Sequence, residues 1–511
     1  MRSQAIALSL SILLPLGLPG QPADRYKEPH RLQYHFSPAQ NWMNDPNGLV
    51  FYKGEYHLFY QYNPLGNTWG HMSWGHAVSR DLVHWEHLPV ALNEEDGVMV
   101  FSGSAVVDRQ NSSGLCENPD ASDRSCLIAI YTGHTGTVQT QNIAFSNDRG
   151  RTWTKYAGNP VIDLKMRDFR DPKVIWRPDT RQWVMVTALA REKKVRFFGS
   201  PNLREWRALS DFGPAGAAAG VWECPDLFPL PVEGRPGEER WVLAVSINPG
   251  GPAGGSGSQY FVGRFDGTRF LNENPPGQIL WIDYGPDFYA VQSFSDVPPE
   301  DGRRLLIGWL SNWLYAGREP TAPWRTAQSI PRQVRLKRFP EGIRLVQEPA
   351  AELRRLRSEP LTLSARGLPE TNRALASRKG TAWEMIVDLD LGSAAQAGLK
   401  IRSGASEETV VGVRRDPAEF FVDRTRSGNV GFHEKFPARH TAPSRRAAGS
   451  VRLHVFVDWS SVEVFAGHGE VVISERIFPS ARSDGVQLYA EGGDAAVRSL
   501  GIWRLRSIWE K

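Results

Sequence analysis

His76-Ala77-Val78-Ser79-Arg80-Asp81-Leu82-Val83-His84-Trp85 decides the fold, because its pattern recurs along the chain. An apolar strand leads to Ser or Gly, a polar turn follows, and an aromatic residue opens the next strand. The pattern returns in Ile143-Ala144-Phe145-Ser146-Asn147-Asp148-Arg149-Gly150-Arg151-Thr152-Trp153, and again in Val195-Arg196-Phe197-Phe198-Gly199-Ser200-Pro201-Asn202-Leu203-Arg204-Glu205-Trp206. A looser copy runs from Tyr260 to Phe270. The closing aromatics, Trp85, Trp153, Trp206 and Phe270, are 68, 53 and 64 residues apart. A spacing of that size writes repeated four-stranded units, so the expectation is an all-β, five-bladed β-propeller: roughly 320 residues from Tyr26 to Gln347 divide into about five such units. The alternative is a set of unrelated hairpins in a sandwich.

Outward from these repeats the chain stays β. Alternating strands such as Trp383 to Leu389, Val451 to Val457 and Ser461 to Phe465 read as a C-terminal antiparallel β-sandwich. Helical periodicity is nearly absent, and Ala350 to Leu356 is the best helix candidate. The expected organisation is a signal peptide at 1–24, a propeller at 25–348, a linker at 349–364 and a sandwich at 365–511, which packs against the propeller. The 18 Trp, 48 Gly and 36 Pro among 511 residues suit short strands joined by turns. A net charge of +4 without any Lys/Arg block near the aromatic clusters excludes nucleic acid as the expected partner.

Arg2 precedes an apolar stretch from Ala5 to Leu18, about 14 residues, too short to span a bilayer but fitting a secretory signal. No later run of 18 apolar residues exists, so a membrane partner is not expected, and the expected location is the medium or the periplasm. With only three Cys, a disulfide scaffold and a Cys-rich metal module are both excluded. Cys116 and Cys126 flank a short polar loop and are either bridged, as export allows, or two free thiols. Cys224 is then unpaired.

Three acidic clusters stand apart from solvated, alternating faces: Asn44-Asp45-Pro46-Asn47-Gly48, Phe169-Arg170-Asp171-Pro172 and Trp222-Glu223-Cys224-Pro225-Asp226. Each alone reads as a turn, since Asp-Pro and Asn-Gly form turns. Their separations, 126 and 52 residues, are about two repeats and one repeat. Equivalent positions in successive blades face one axis, so the carboxylates are expected to converge among aromatics, as in a glycosidase. Other chemistries lack their parts. His57, His71, His76, His84 and His87 have no companion ligands at zinc spacing, so no metal site is expected. The Gly-rich run 250–257 precedes a strand rather than a helix, G-x-S-x-G is absent, and a Cys224 nucleophile has no visible partner base.

Trp42 to Gly48, Arg170-Asp171-Pro172 and Glu223-Cys224-Pro225-Asp226-Leu227 resemble the three signature blocks of glycoside hydrolase family 32, the invertases, inulinases and levanases. Phe101 to Ser104, Asp287 to Ala290, Ile307 to Leu310 and Ser461 to Phe465 resemble further blocks. The resemblance implies a five-bladed propeller with a sandwich and hydrolysis of β-D-fructofuranosides with retention, without cofactor or metal. It implies that Asp45 is the nucleophile, supported by Asn44 and Asn47, that Glu223 is the general acid/base, and that Asp171 stabilises the oxocarbenium-like transition state with Arg170 beside it. It further places Gln61, Trp69, Phe101, Ser102, Tyr289 and Trp309 around the fructosyl pocket. The segments from Gly250 to Gly263, Trp309 to Trp313 and Pro323 to Arg325 are similar to exo-acting fructanases, so the expectation is exo cleavage of levan, inulin or sucrose. An endo-acting levanase or inulinase, a sucrose-specific invertase and a non-catalytic sugar-binding propeller are the alternatives. Oligomeric state is not legible.

Overall fold

The structure is a computed structural model and describes residues 25–117, 123–275, 277–445 and 449–510. The expected signal peptide lies outside the described residues. The protein is all-β: five consecutive antiparallel sheets span Asn41 to Pro349, and two more follow. The first strands of the five are Asn41–Tyr52, Met99–Asp108, Phe169–Arg177, Val221–Pro231 and Tyr289–Ser293. Each packs against the first strand of the next sheet, and the fifth returns to the first. Two devices tie this closure. Asn41 and Trp42 pair in parallel with Trp324 and Arg325, and Val50 bridges Ser295.

The repeated sequence pattern is the turn between the third and fourth strands of the first four sheets. Asp81 Oδ1 accepts from the backbone N–H of Val83 and His84, while the Trp85 indole donates to Leu82 O at 3.1 Å. Asp148 and Trp153 repeat the arrangement, with the Trp153 indole donating to Gly150 O. Asn202 and Trp206 do the same, and Asp266 Oδ1 caps Thr268 and Arg269. A short polar side chain that mimics a backbone turn explains why Asp or Asn recurs there. The fifth sheet turns instead through the tight hairpin between Arg332–Phe339 and Gly342–Pro349, which leaves no such trace.

After a 3-10 turn at Ala351–Leu356, a six-stranded and a five-stranded sheet face one another around one core, in which Met385, Val387, Leu453 and Ile473 of the first meet Leu399, Val411, Val422 and Leu488 of the second. The strand Arg357–Gly367 belongs to the six-stranded sheet, so the second half of the stretch expected as a linker is strand. Its outward face is exposed and its composition polar, which hid the alternation of Leu361 and Leu363. The only α-helix among the described residues, Leu368–Leu375, was also unforeseen; it is short and buries Leu368, Thr371 and Leu375. Buried charges join the two regions. Arg332 donates to Asp283 at 2.9 Å and to Glu463 at 2.6 Å, and His35 lies between Glu463 and Asp458. The Glu463 and Asp287 side chains are therefore structural here: Asp287 accepts from Arg424 and from the backbone of Arg476.

Candidate active site

The ladder of each first strand slips near its start, between Met43 and Pro46, Phe101 and Gly103, Arg170 and Lys173, Glu223 and Asp226, and Tyr289 and Gln292, and the first of them slips again between Asn47 and Val50. Bulges re-aim side chains, and proline, which cannot donate to a ladder, is at home in them. Pro46, Pro172 and Pro225 occupy three of the five. Asp171, Cys224 and Ala290 adopt positive φ values of 64, 46 and 52°. For residues other than glycine this left-handed conformation costs energy, and it persists where surrounding structure enforces it. Five equivalent bulges thus gather Asp45, Ser102, Asp171 and Cys224 at one point, with Asn44, Phe101, Arg170, Glu223 and Tyr289 one residue earlier in each strand.

The acids share one cluster. Ser102 Oγ donates to Asp45 Oδ2 at 2.6 Å, and the Asn44 amide donates to Asp45 Oδ1 at 3.1 Å. Asn44 is itself held by the Trp42 indole and by Gln328. The Cys224 thiol lies 3.4 Å from Asp45 Oδ2 and 3.6 Å from Asp171 Oδ2, and its backbone N–H donates to the latter at 2.9 Å. Arg170 Nε donates to Glu223 Oε1 at 3.0 Å, and the Tyr289 hydroxyl donates to Glu223 Oε2. Arg170 is fixed from behind by Asp168 at 3.0 Å and Gln139 at 3.3 Å.

Burial separates the three carboxyls. Asp45 and Asp171 are 8% and 5% exposed, whereas the Glu223 side chain is 21% exposed. Loss of water pushes the Asp45 carboxyl above its ordinary range, with the Ser102 hydroxyl pulling it back and the charge of Glu223 raising it. Asp171 is pushed up to about 7, first by burial, with Arg170 opposing and the charges of Glu223 and Asp45 adding to the rise. Burial, followed by the charges of Asp171 and Asp45, pushes the Cys224 thiol well up, so it is a hydrogen-bond donor and not a thiolate nucleophile. The Tyr289 phenol is likewise held protonated by burial and by Glu223.

A cavity of about 310 Å³ opens over the acids, bounded by Gln61, Phe101, Ser102 and Arg170, and by Trp69 at 45% exposure on its rim. A larger cavity of about 540 Å³ lies elsewhere, but it lacks the acid cluster, so chemistry rather than volume decides. Trp309 does not line the pocket. It is fully buried behind Trp313, 4.8 Å away between ring centres, and it donates to Thr326. Trp313 takes the wall position, and His134, stacked on Phe101 at 4.4 Å, takes another. Gln139, Arg167, Asp168 and Arg191 complete the rim and were not read from the sequence. Asp168, two residues before Arg170, was the one legible signal. Cys116 and Cys126 are bridged, with Cα atoms 5.2 Å apart, well away from this cavity. The histidine-rich region is structural: His57 and His76 bond one another at 3.0 Å, while His71 and His84 pair with Glu94 and Asp81.

Buried carboxyls gathered among aromatics, with a hydroxyl, a thiol and a guanidinium aimed at them, define a glycoside hydrolase. The chain belongs to glycosyl hydrolases family 32: the family's N-terminal domain matches residues 35–349 and its C-terminal domain residues 352–504. A levanase of Bacillus subtilis (strain 168) is 50% identical over 516 residues, spanning 99% of this chain and 75% of that protein. The extracellular exo-inulinase of Aspergillus awamori is 39% identical over 543 residues, spanning 99% of each. The crystal structure of exo-inulinase from Aspergillus awamori superposes with a TM-score of 0.86 at 37% identity, covering 95% of this chain and all of that one.

Proposed function

We propose that the protein is an exported, retaining β-fructofuranosidase that removes terminal fructosyl units from levan, inulin or sucrose. The observation that carries this reading is the joint environment of Asp45 and Glu223, one carboxyl buried and supported for attack, the other half-open to the leaving group. In the first step the Asp45 carboxylate attacks C2 of the fructosyl unit while Glu223 gives its proton to the departing oxygen, leaving a fructosyl ester. In the second, Glu223 takes a proton from water, which attacks C2 and releases Asp45. Asp171 and Arg170 hold the sugar hydroxyls and the developing charge.

Five sheets whose first strands close a ring support reading residues 25–348 as a five-bladed propeller, and the shared core of the last two sheets supports a sandwich. The acids at the buried end of the cavity, with Trp69 exposed at its mouth, favour capture of a chain end over a chain interior. The names of the relatives support fructan as substrate, and the extracellular description of the exo-inulinase supports export. No helix among the described residues is long and apolar enough to cross a membrane. Incubation with sucrose, inulin and levan, followed by chromatography, tests the reading: free fructose alone means exo action, and a ladder of oligofructosides means endo action.

A further inference from the structure

The larger cavity, about 540 Å³, sits at the opposite end of the same ring of strands. Asp171 stands near the start of its strand and Arg177 at its end; six residues of strand separate them by about 20 Å. The lining comes from the trailing halves of the third and fourth first strands, at Lys173 to Arg177 and Leu227 to Pro229, and from Ser293, Ser295, Asp296 and Arg304 of the fifth sheet. Nothing in the hydrolytic reaction uses this end.

Its chemistry is specific. Trp176, Trp183 and Trp241 supply aromatic surface, with Trp176 and Trp183 in contact at 5.0 Å and the Arg177 guanidinium lying over the Trp241 ring at 4.9 Å. Beyond that pair a second, smaller cavity of about 100 Å³ continues along the Trp176 and Trp183 rings toward Ser112 and Arg109, so the two form one elongated trough. Polar groups face it unevenly satisfied. The Ser295 hydroxyl is buried without a hydrogen-bond partner, and Arg304 spends one N–H on Phe294 O at 3.1 Å while its guanidinium lies over Phe228. Three cationic side chains, Lys173, Arg177 and Arg304, are balanced by three carboxylates, Asp179, Glu239 and Asp296. A site without net charge does not select an anion. Indole surface beside the partnerless Ser295 hydroxyl and the remaining N–H groups of Arg304 suits a neutral, hydroxyl-rich ring compound, which presents C–H surface to the aromatic and hydroxyls to the polar groups.

We propose that this trough is a second, non-hydrolytic saccharide site, which holds another stretch of the polymeric substrate on the face away from the acids; only the identity of the sugar rests on the function proposed above. The test uses the full chain carrying Asp45→Ala, titrated calorimetrically with an inulin-type tetrasaccharide. Two molecules should bind per chain. Adding Trp241→Ala should remove one of them or weaken it by about tenfold or more, and adding Glu239→Ala, at an exposed position where folding is not at stake, should weaken the same one. Trp241→Ala alone should hydrolyse the tetrasaccharide with kcat/KM unchanged. One molecule bound in the parent, or two bound with unaltered affinity in both variants, overturns the proposal. A wild-type chain that does not release fructose, but whose second binding event is still lost in the variants, would defeat the substrate reading and leave the second site standing.

Discussion

Ser102 Oγ donates to Asp45 Oδ2 at 2.6 Å, joining the first strands of two neighbouring sheets. The bond exists because each strand carries its bulge at the same level, so a hydroxyl from one meets a carboxylate from the next. It opposes the burial that pushes Asp45 upward.

Removing that hydroxyl should therefore weaken the nucleophile in a pH-dependent way. Hydrogen bonds to charged groups contribute about 1.5–3 kcal/mol, so Ser102→Ala should lower kcat/KM by about ten- to a hundredfold. In the proposed mechanism Asp45 acts ionised, and its pKa should rise further without Ser102. The acid limb of the kcat/KM profile should thus move to higher pH, while the alkaline limb stays in place. A uniform loss at every pH would assign Ser102 to sugar binding instead.

Asp171 gives a prediction of opposite sign for stability and activity. Its folded-state pKa, about 7, lies above the ordinary value of 3.8. Between those values the folded chain holds a proton that the unfolded chain has lost, so this group makes stability fall as pH rises from about 4 to 7. Asp171→Asn removes that burden. It should raise the Tm at pH 7 by about 2–4 °C, and by less at pH 4, while kcat/KM falls by orders of magnitude. Calorimetry at the two pH values reads the difference.

The bridge between Cys116 and Cys126 closes a short loop, with a sequence separation of 10. Loop-closure entropy for that length corresponds to about 3 kcal/mol. Cys116→Ser/Cys126→Ser should unfold at lower denaturant concentration, with hydrolysis intact in the folded chain. Intact mass under non-reducing conditions should be two hydrogen atoms lighter than the reduced chain, and equal masses would remove the bridge.

Much of this was legible in the sequence, for physical reasons that differ by element. The third-to-fourth-strand turns announced themselves because an Asp or Asn side chain must cap each one and a Trp must close it. The acids were found because Asp-Pro and Cys-Pro break the alternation a strand would keep, and those breaks are the bulges. Trp309 was misplaced: sequence put it in a pocket block, but its neighbour four residues on, Trp313, reaches the wall and buries it. His134, Arg167 and Arg191 were missed because they arrive on strand ends and turns, whose approach to the acids has no linear signature. The strand Arg357–Gly367 was missed because it is largely exposed and its solvent face, with Thr362 and Ser364, is polar.

Azide rescue tests most directly the proposed roles of Asp45 as nucleophile and Glu223 as acid/base. With an activated aryl fructoside, Glu223→Ala should keep part of its first step, accumulate the fructosyl-enzyme, and regain turnover with azide as a β-fructosyl azide, because azide needs no base. Asp45→Ala should lose several orders of magnitude with any leaving group and give no β-azide. Formation of the β-azide by Asp45→Ala, and not by Glu223→Ala, would mean that the two roles are exchanged.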